Sequence, residues 1–189
     1  SQTEVSQAEV KEKRMELEGE SEIKVRDSKV VAERAIALLA IIGLVNDPDK
    51  NRIKAWVTKN HIDAYLSASE RSAFEMGSLN RKQQVAFSWR SEALVSLLWA
   101  LGVIQQFPSL NAQYNIYENP DVAEIIRSPQ AFIEHASLRT KQELEEMENG
   151  LYNQHWRVRD AQLFSKPMPK ELDPDIVYER RYGMSWVVG

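Results

Sequence analysis

The longest apolar segments of this chain repeat with the spacing of an α-helix. From Lys29 onward, Val, Ala, Leu and Ile residues form a wide apolar arc that ends at Gly43 and at the turn-forming residues 46–48. A second helix is predicted over residues 80–101, followed by Gly102 where a left-handed stop residue belongs. Almost the whole second half of the 80–101 segment is apolar, so we expect it to form the buried central helix of the fold.

Further helices are indicated by residues that can cap a helix N-terminus. Residues 67–70 and 140–143 have the capping-box pattern, in which the first and fourth side chains each accept a hydrogen bond from the other residue's backbone N–H. The helix from Thr140 is predicted to run past Gly150 to about Phe164, after which prolines end it. The other cap candidates, three of which precede a proline, are Asp49, Asn80, Asn119, Ser128 and Asp173.

The pattern as a whole favours an all-α fold. No run of alternating apolar and polar residues is bounded by hairpin turns, and the chain has only 7 Gly. A small edge hairpin near residues 111–117 is the one alternative. Residues 1–22 are polar and predict an N-terminal arm or a weak helix. We therefore expect one all-helical domain over residues 23–189, built as a bundle of about seven or eight helices.

Composition and charge exclude several classes of protein. The 189 residues, 43% of them apolar, can bury a sizeable core without disulfide or metal support. Cysteine is absent, which excludes disulfides, thiolate nucleophiles and zinc sites of the Cys type. A net charge of −4 supplies no field to attract nucleic acid or an anionic membrane, and the longest apolar stretch, 35–45, is too short to cross a bilayer. With no signal peptide visible at its start, the chain is expected to be soluble and cytoplasmic.

Three predicted helices carry charged residues within their apolar faces, an arrangement that demands an explanation. Helix by helix, these residues are Arg90 and Glu92, His155 and Arg159, and Glu179 and Arg180. His155 and Arg159 are one turn apart and are expected to face inward together. Because an unpaired buried charge is costly, we expect one shared polar cluster in which the two glutamates meet the three arginines.

Two interpretations of this cluster stay open. In the first, it is a structural ion-pair network that fixes the register of three helices. In the second, surplus guanidinium beside His155, walled by aromatic rings that include Tyr152, holds the carboxylate or phosphate of a small anionic ligand. The candidate ligand-binding residues are Trp89, Arg90, Glu92, Trp99, His155, Trp156, Arg159, Glu179 and Arg180.

Catalysis and metal binding have weaker signals. His155 and Glu92 could form the acid and base of a hydrolase or transferase if an open cleft brought them together. Ser96 lies outside any nucleophile elbow and is expected to be a small packing residue. The three His residues are scattered, and no glycine-rich phosphate loop is present. We therefore expect a non-enzymatic protein with no cofactor and no metal.

A protein-interaction module is the other alternative. An adaptor or the antidote to a toxin would need an exposed apolar patch, and the aromatic residues Trp56, Tyr65, Phe107 and Tyr114 are candidates for it. In either interpretation, the partner would be a small anionic molecule or a protein.

Several strings of the sequence also resemble one known family. They are Trp89-Arg90-Ser91-Glu92, His155-Trp156-Arg157-Val158-Arg159 and Glu179-Arg180-Arg181, with residues 26–39 as the opening stretch. Together they resemble the domain of unknown function numbered forty-two seventy-two, over roughly residues 22–189. The resemblance implies a bacterial, mostly helical protein and no activity, cofactor or catalytic residue.

Overall fold

The computed structural model describes residues 24–189, so the predicted arm at residues 1–22 lies outside the described part. All regular secondary structure in that part is helical, and the prediction of an all-α domain with seven or eight helices is confirmed. The eight α-helices are α1 (Ser28–Asn46), α2 (Lys50–Lys59), α3 (Ala68–Met76), α4 (Arg81–Ala100), α5 (Pro120–Arg127), α6 (Pro129–Glu134), α7 (Lys141–Leu163) and α8 (Pro174–Val188). None of these helices is both long and apolar enough to cross a membrane.

Helices α2 to α8 each begin directly after a predicted capping residue, although one of these residues makes no side-chain bond. Ser67, Asn80 and Thr140 open complete capping boxes, and the carboxylate of Asp173 accepts from the N–H groups of the first turn of α8. Ser128 makes no side-chain cap bond, because its backbone (φ −136°, ψ 66°) is not in the usual extended cap conformation. The start of α6 therefore depends on Pro129 at its first position.

The loop between α4 and α5 contains a 3-10 turn and no hairpin. Asn115 accepts a hydrogen bond from the N–H of Tyr117 and so caps the turn Ile116–Glu118. The possible edge hairpin at residues 111–117 is therefore wrong. The side chain of Ile116 is buried, which anchors the loop to the core.

The core surrounds α1 and the second half of α4. Every residue from 35 to 44 of α1 is buried, as is every residue from 92 to 100 of α4. The first half of α4 reaches the surface, where Val85 is 52% exposed. The central helix predicted over residues 80–101 is therefore buried along its second half.

Helix α8 packs against both α4 and α7 and thereby positions the charged residues of all three. A Cβ atom at Gly183 would collide with the backbone oxygen of Ala93, so glycine sets the distance between α8 and α4. Beside it, the hydroxyl of Ser96 donates to the backbone oxygen of Arg180 at 2.6 Å. Ser96 is thus a small packing residue, as predicted.

Candidate functional site

A fully buried ion pair joins α4 to α8. Arg180 Nε donates to Glu92 Oε2 at 2.9 Å, with 0% of the arginine side chain and 1% of the glutamate side chain exposed. Glu92 Oε1 accepts from the backbone N–H of Tyr114 at 3.1 Å, and Arg180 Nη1 donates to the backbone oxygen of Pro108 at 2.9 Å. The pair therefore ties the loop after α4 to both helices.

Aromatic rings close this buried pair off. The Arg180 guanidinium lies 5.4 Å from the Phe107 ring centre, and Phe107 packs edge-on against Trp99. Burial lowers the pKa of Arg180, and the charge and hydrogen bond of Glu92 oppose that shift. Within the described residues, the buried Nη2 atom of Arg180 has no hydrogen-bond partner. Both charged side chains of this half of the predicted cluster are thus enclosed, with no more than 1% of either exposed.

A second ion pair between the same helices lies nearer the surface. Arg90 Nη1 is 3.3 Å from Glu179 Oε2, and 30% of the Arg90 side chain is exposed. Burial raises the pKa of Glu179, while the charge of Arg90 opposes the increase. The Arg90 guanidinium also lies over the ring of Tyr182, 4.7 Å from its centre. Arg90 thus connects the interior to the outer surface of α8.

The outer surface of α7 and α8 carries four exposed aromatic residues, which we call the aromatic face: Tyr152, Trp156, Tyr178 and Tyr182. Their exposed fractions range from 38% to 56%. Tyr178 stacks on Tyr182, and Tyr152 meets Trp156 edge-on. The four rings therefore form two contacting pairs on neighbouring helices.

Cationic side chains lie among these rings. The Arg181 guanidinium sits over Tyr152, 4.8 Å from the ring centre, and its Nη1 is 2.6 Å from His155 Nδ1. Burial, followed by the charges of Arg181 and Arg159, lowers the pKa of His155. A neutral His155 accepts the hydrogen bond from Arg181 through Nδ1. A cavity of about 180 Å³ opens here, lined by His155, Tyr178, Arg181, Tyr182 and Ser185.

A partly buried carboxyl group lies beneath the aromatic face. The Ser185 hydroxyl donates to Glu148 Oε1 at 2.6 Å, whereas Glu148 Oε2 is buried without a hydrogen-bond partner in the described part. Burial raises the pKa of Glu148, against the opposing effects of the Ser185 hydrogen bond and the Arg181 charge. Glu148 is therefore an energetically costly residue at neutral pH.

The single polar cluster predicted from the sequence is thus divided into two parts, and one of its predicted members, Arg159, is not buried. Arg159 is exposed, and no carboxylate of the described residues lies within 4 Å of it. The buried stripe of α7 is formed by Leu144, Leu151, Val158 and Ala161. Each step of four residues turns about 40° around a helix, so Arg159 lies well away from this stripe and His155 lies at its margin. The expectation that both face inward is wrong.

The two residues of the catalytic alternative, Glu92 and His155, are not brought together either. Glu92 is enclosed against Arg180, while His155 contacts Arg181 on the aromatic face. Consecutive helical residues point about 100° apart, so the two arginines direct their partners to different sides of α8. In the part of the chain that the structure describes, Glu92 and His155 do not meet in an open cleft. Of the tryptophans, Trp99 is buried, Trp89 is half-buried and Trp156 is 56% exposed.

The exposed apolar patch predicted around Trp56, Tyr65, Phe107 and Tyr114 is also wrong. All four are half-buried and pack against the core, and the Trp56 indole donates to the backbone oxygen of Ile126. Four of the exposed aromatic residues lie instead on α7 and α8, at positions four residues apart in each helix. That spacing is the sequence signal for a shared face.

A larger cavity, about 550 Å³, lies at the end of α1. Its lining is mainly apolar and includes Ile53 and Trp56. The charged residues of its lining, Asp47 and Arg52, form an ion pair with each other. Among residues 24–189, no three His, Asp or Glu side chains converge as a metal site requires.

Comparison with known proteins gives one match. The family model described as "Domain of unknown function (DUF4272)" matches residues 2–189, so the match begins about twenty residues earlier than the sequence strings indicated. No curated protein and no solved structure matches the chain. The family strings identified in the sequence fall on α4, α7 and α8, on both sides of the division between the buried pair and the aromatic face. Because the family model matches nearly the whole length of this chain, the chain belongs to the DUF4272 family.

Proposed function

We propose that this protein is a non-enzymatic binding module whose aromatic face receives an acidic segment of a protein partner. The observation that carries the proposal is the set of four exposed aromatic rings with guanidinium groups between them. Tyr, Trp and Arg are the residues most enriched at the energetic centres of protein interfaces. Rings with few rotatable bonds supply contact area at a low entropic cost.

The charges of the aromatic face support an acidic partner. Glu179 is already paired with Arg90, and Glu148 lies beneath the surface. Within residues 24–189, neither Arg159 nor Arg181 has a carboxylate within 4 Å. A guanidinium group in this situation can bind an incoming carboxylate through two parallel hydrogen bonds.

The size of the cavity favours a segment of chain over an enclosed small molecule. At about 180 Å³, it is smaller than the roughly 300–1,000 Å³ typical of small-molecule pockets. A peptide lying across the rings could place one side chain in this cavity and its carboxylates against the arginines. The small anionic ligand predicted from the sequence thus becomes, in this proposal, the acidic side chains of a protein.

A peptide titration tests the proposal. The probe is a nine-residue peptide of alternating Glu and Leu, added to the full ¹⁵N-labelled chain. The five Trp residues of the protein give separate indole N–H signals. The signal of Trp156 reports on the aromatic face, and that of Trp56 is the internal reference. We expect the Trp156 signal to shift and the Trp56 signal to stay. A peptide of alternating Lys and Leu should shift neither signal. A titration with an oligonucleotide shows whether the aromatic face binds polyanions in general or acidic protein segments in particular.

Matched variants locate the binding site. Arg181→Gln should weaken binding at least about tenfold, a loss of 1.4 kcal/mol. Arg157→Gln is the control, because Arg157 is on the same helix as Trp156 but binds Glu171 at 2.7 Å. Equal weakening by the two variants, or an unmoved Trp156 signal at saturating peptide, would contradict the proposal.

The cavity at the end of α1 supports a second candidate function. Because Asp47 and Arg52 neutralise each other at its rim, the suitable ligand is an uncharged apolar molecule. At about 550 Å³, the cavity is within the range of ligand pockets. Thermal unfolding with a panel of neutral aromatic compounds tests this, and Ile53→Trp should abolish any stabilisation by filling the space. Stabilisation that persists in this variant would place the ligand elsewhere.

A further inference from the structure

A further cavity adjoins the aromatic face on the side of α1 and α4. We call it the arginine cavity. Its volume is about 190 Å³, and its lining includes Arg34, Arg90, Tyr182 and Trp186. Arg34 belongs to α1, Arg90 to α4 and the two aromatic residues to α8. Among the residues that the structure describes, two guanidinium groups and no Asp or Glu side chain line this cavity.

Arg90 keeps hydrogen-bond donors for a ligand although it is ion-paired. Arg34 binds both carboxylate oxygens of Glu70, through Nη1 at 2.8 Å and Nη2 at 2.9 Å. Arg90 contacts Glu179 through Nη1 alone, at 3.3 Å. A guanidinium group has five N–H donors, so Nε and Nη2 of Arg90 have no hydrogen-bond partner in the described part of the chain. An incoming carboxylate can accept from both of these nitrogens.

Tyr182 lies between the arginine cavity and the cavity at His155, because its ring lines both. Arg90, from the arginine cavity, lies over this ring, and Tyr178, from the other cavity, stacks on it. The cavity at His155 contains the guanidinium of Arg181 and, within residues 24–189, no Asp or Glu in its lining. Two cationic cavities of similar size thus share one exposed ring as their common wall.

We infer that the acidic partner segment binds in an extended conformation through two carboxylates that are two residues apart, one in each cavity, with its backbone crossing Tyr182. This inference rests on the proposed function and adds the spacing that the partner must have. The residue between the two carboxylates points away from the protein in this arrangement. Its identity should therefore matter little.

The spacing follows from the dimensions of a ring and of an extended chain. A group in van der Waals contact with a ring lies about 3.5–4 Å from it, so groups on its two sides are about 7–8 Å apart. An extended chain rises about 3.3 Å per residue with alternating side chains, which places residues i and i+2 on the same side, about 7 Å apart. Neighbouring residues point to opposite sides, and residues i and i+4 are about 13 Å apart. The pattern Glu-x-Glu fits the two cavities best.

A set of peptides tests this spacing on the parent protein. Three nine-residue peptides contain two Glu among the same numbers of Ser and Leu, with the Glu residues at i and i+1, i and i+2, or i and i+4. Each is added to the full ¹⁵N-labelled chain. The indole N–H signal of Trp186 reports on the arginine cavity, and that of Trp156 reports on the aromatic face.

The expected result is a preference for one spacing. The Glu-x-Glu peptide should move both indole signals and bind at least about tenfold more tightly than the other two, because its second contact becomes intramolecular. Replacing either Glu of the pair by Gln should remove this advantage. Equal affinities for the three spacings, or a Trp186 signal that stays at saturation, would overturn the inference.

A conservative variant locates the second contact. Arg90→Lys keeps a positive charge opposite Glu179 but replaces the planar fork of donors by one ammonium group, so the tenfold preference for Glu-x-Glu should disappear. Arg127→Lys is the control, because Arg127 is also ion-paired, with Glu124 at 2.8 Å, and lines neither cavity. A preference that survives Arg90→Lys would place the second carboxylate elsewhere and refute the inference.

The remaining outcomes separate this inference from the proposed function. If all three peptides move Trp156 with equal affinity and Trp186 stays, the inference fails and the proposed function stands. If no peptide moves Trp156, both fail. Sodium citrate at the same carboxylate concentration is the last comparison, and shifts of both signals as large as those caused by the Glu-x-Glu peptide would assign the cavities to a free polycarboxylate and overturn the inference.

Discussion

Arg180 and Arg181 are consecutive in α8, yet the first is fully buried against Glu92 and the second lies among exposed aromatic rings. The 100° turn between them separates a structural ion pair from a candidate binding surface. The Glu-Arg-Arg string therefore contains one buried, ion-paired arginine and one arginine of the proposed binding surface. Stability measurements and binding measurements should separate these roles.

Removing Arg180 should destabilise the fold severely. In Arg180→Ala, Glu92 is left buried without its partner, and the expected loss is about 3–5 kcal/mol of unfolding free energy. Arg181→Ala should cost less than about 1 kcal/mol, since its side chain is partly exposed and has no carboxylate partner in the described part. Urea unfolding of both variants checks this difference. Similar losses in the two variants would show that the buried pair has no special structural role.

Combining substitutions should recover part of the loss. Glu92→Leu with Arg180→Met removes both charges, so neither is left unpaired, and the double variant should be more stable than Arg180→Ala. Recovery stays incomplete because the Tyr114 N–H and the Pro108 oxygen each lose a partner. A double variant no more stable than the single one would mean that these loop contacts dominate.

Two glycines should respond in opposite directions to alanine. Gly183→Ala introduces a methyl group against the Ala93 backbone, which cannot move without shifting a helix, and should cost about 1–3 kcal/mol or more. Gly150→Ala, in the middle of α7, meets no atom within 4 Å and should add about 0.5–1 kcal/mol through helix propensity. Thermal unfolding compares the two. A harmless Gly183→Ala would show that α8 can move away from α4.

Glu148 should make stability depend on pH. Because burial raises its pKa above the ordinary value of 4.5, the folded protein binds more protons than the unfolded one as pH rises from that value. This contribution to stability is complete below 4.5 and is lost as pH rises through the raised pKa. Glu148→Gln should therefore exceed the parent in stability at pH 7, with a difference that shrinks as pH falls toward 4.5. Glu146→Gln, on the exposed side of α7, is the control for the loss of one carboxylate from the same helix.

The caps of α8 and α6 should differ in importance. Asp173 accepts from the N–H groups of Asp175 and Ile176, so Asp173→Ala should cost about 1 kcal/mol. Ser128 makes no such bond, and Ser128→Ala should change stability by less than about 0.5 kcal/mol. Equal losses by chemical denaturation would contradict this assignment of the caps.

The fold could be predicted from sequence because helix starts are local events. Capping boxes and proline positions lie within four residues of each other, so Ser67, Asn80 and Thr140 predict their helices without tertiary information. Ser128 precedes a proline, as Asn119 and Asp173 do, but it has a different backbone conformation. That backbone is set by the packing of two short helices on either side, which a local pattern does not contain.

The site could be predicted only in part. The burial of Glu92 and Arg180 follows from the apolar residues around them, and their pairing follows from the cost of a lone buried charge. The exposure of Arg159 and Trp156 depends on how much of α7 its neighbours cover. An apolar arc indicates which residues could be buried, whereas the adjoining helix decides which ones are.

The titration of the full chain with the Glu-Leu peptide tests the central claim most directly. The claim predicts that the Trp156 indole signal shifts to saturation while that of Trp56 stays, and that Arg181→Gln weakens binding at least about tenfold where Arg157→Gln does not. A Trp156 signal that does not move at saturating peptide would contradict it.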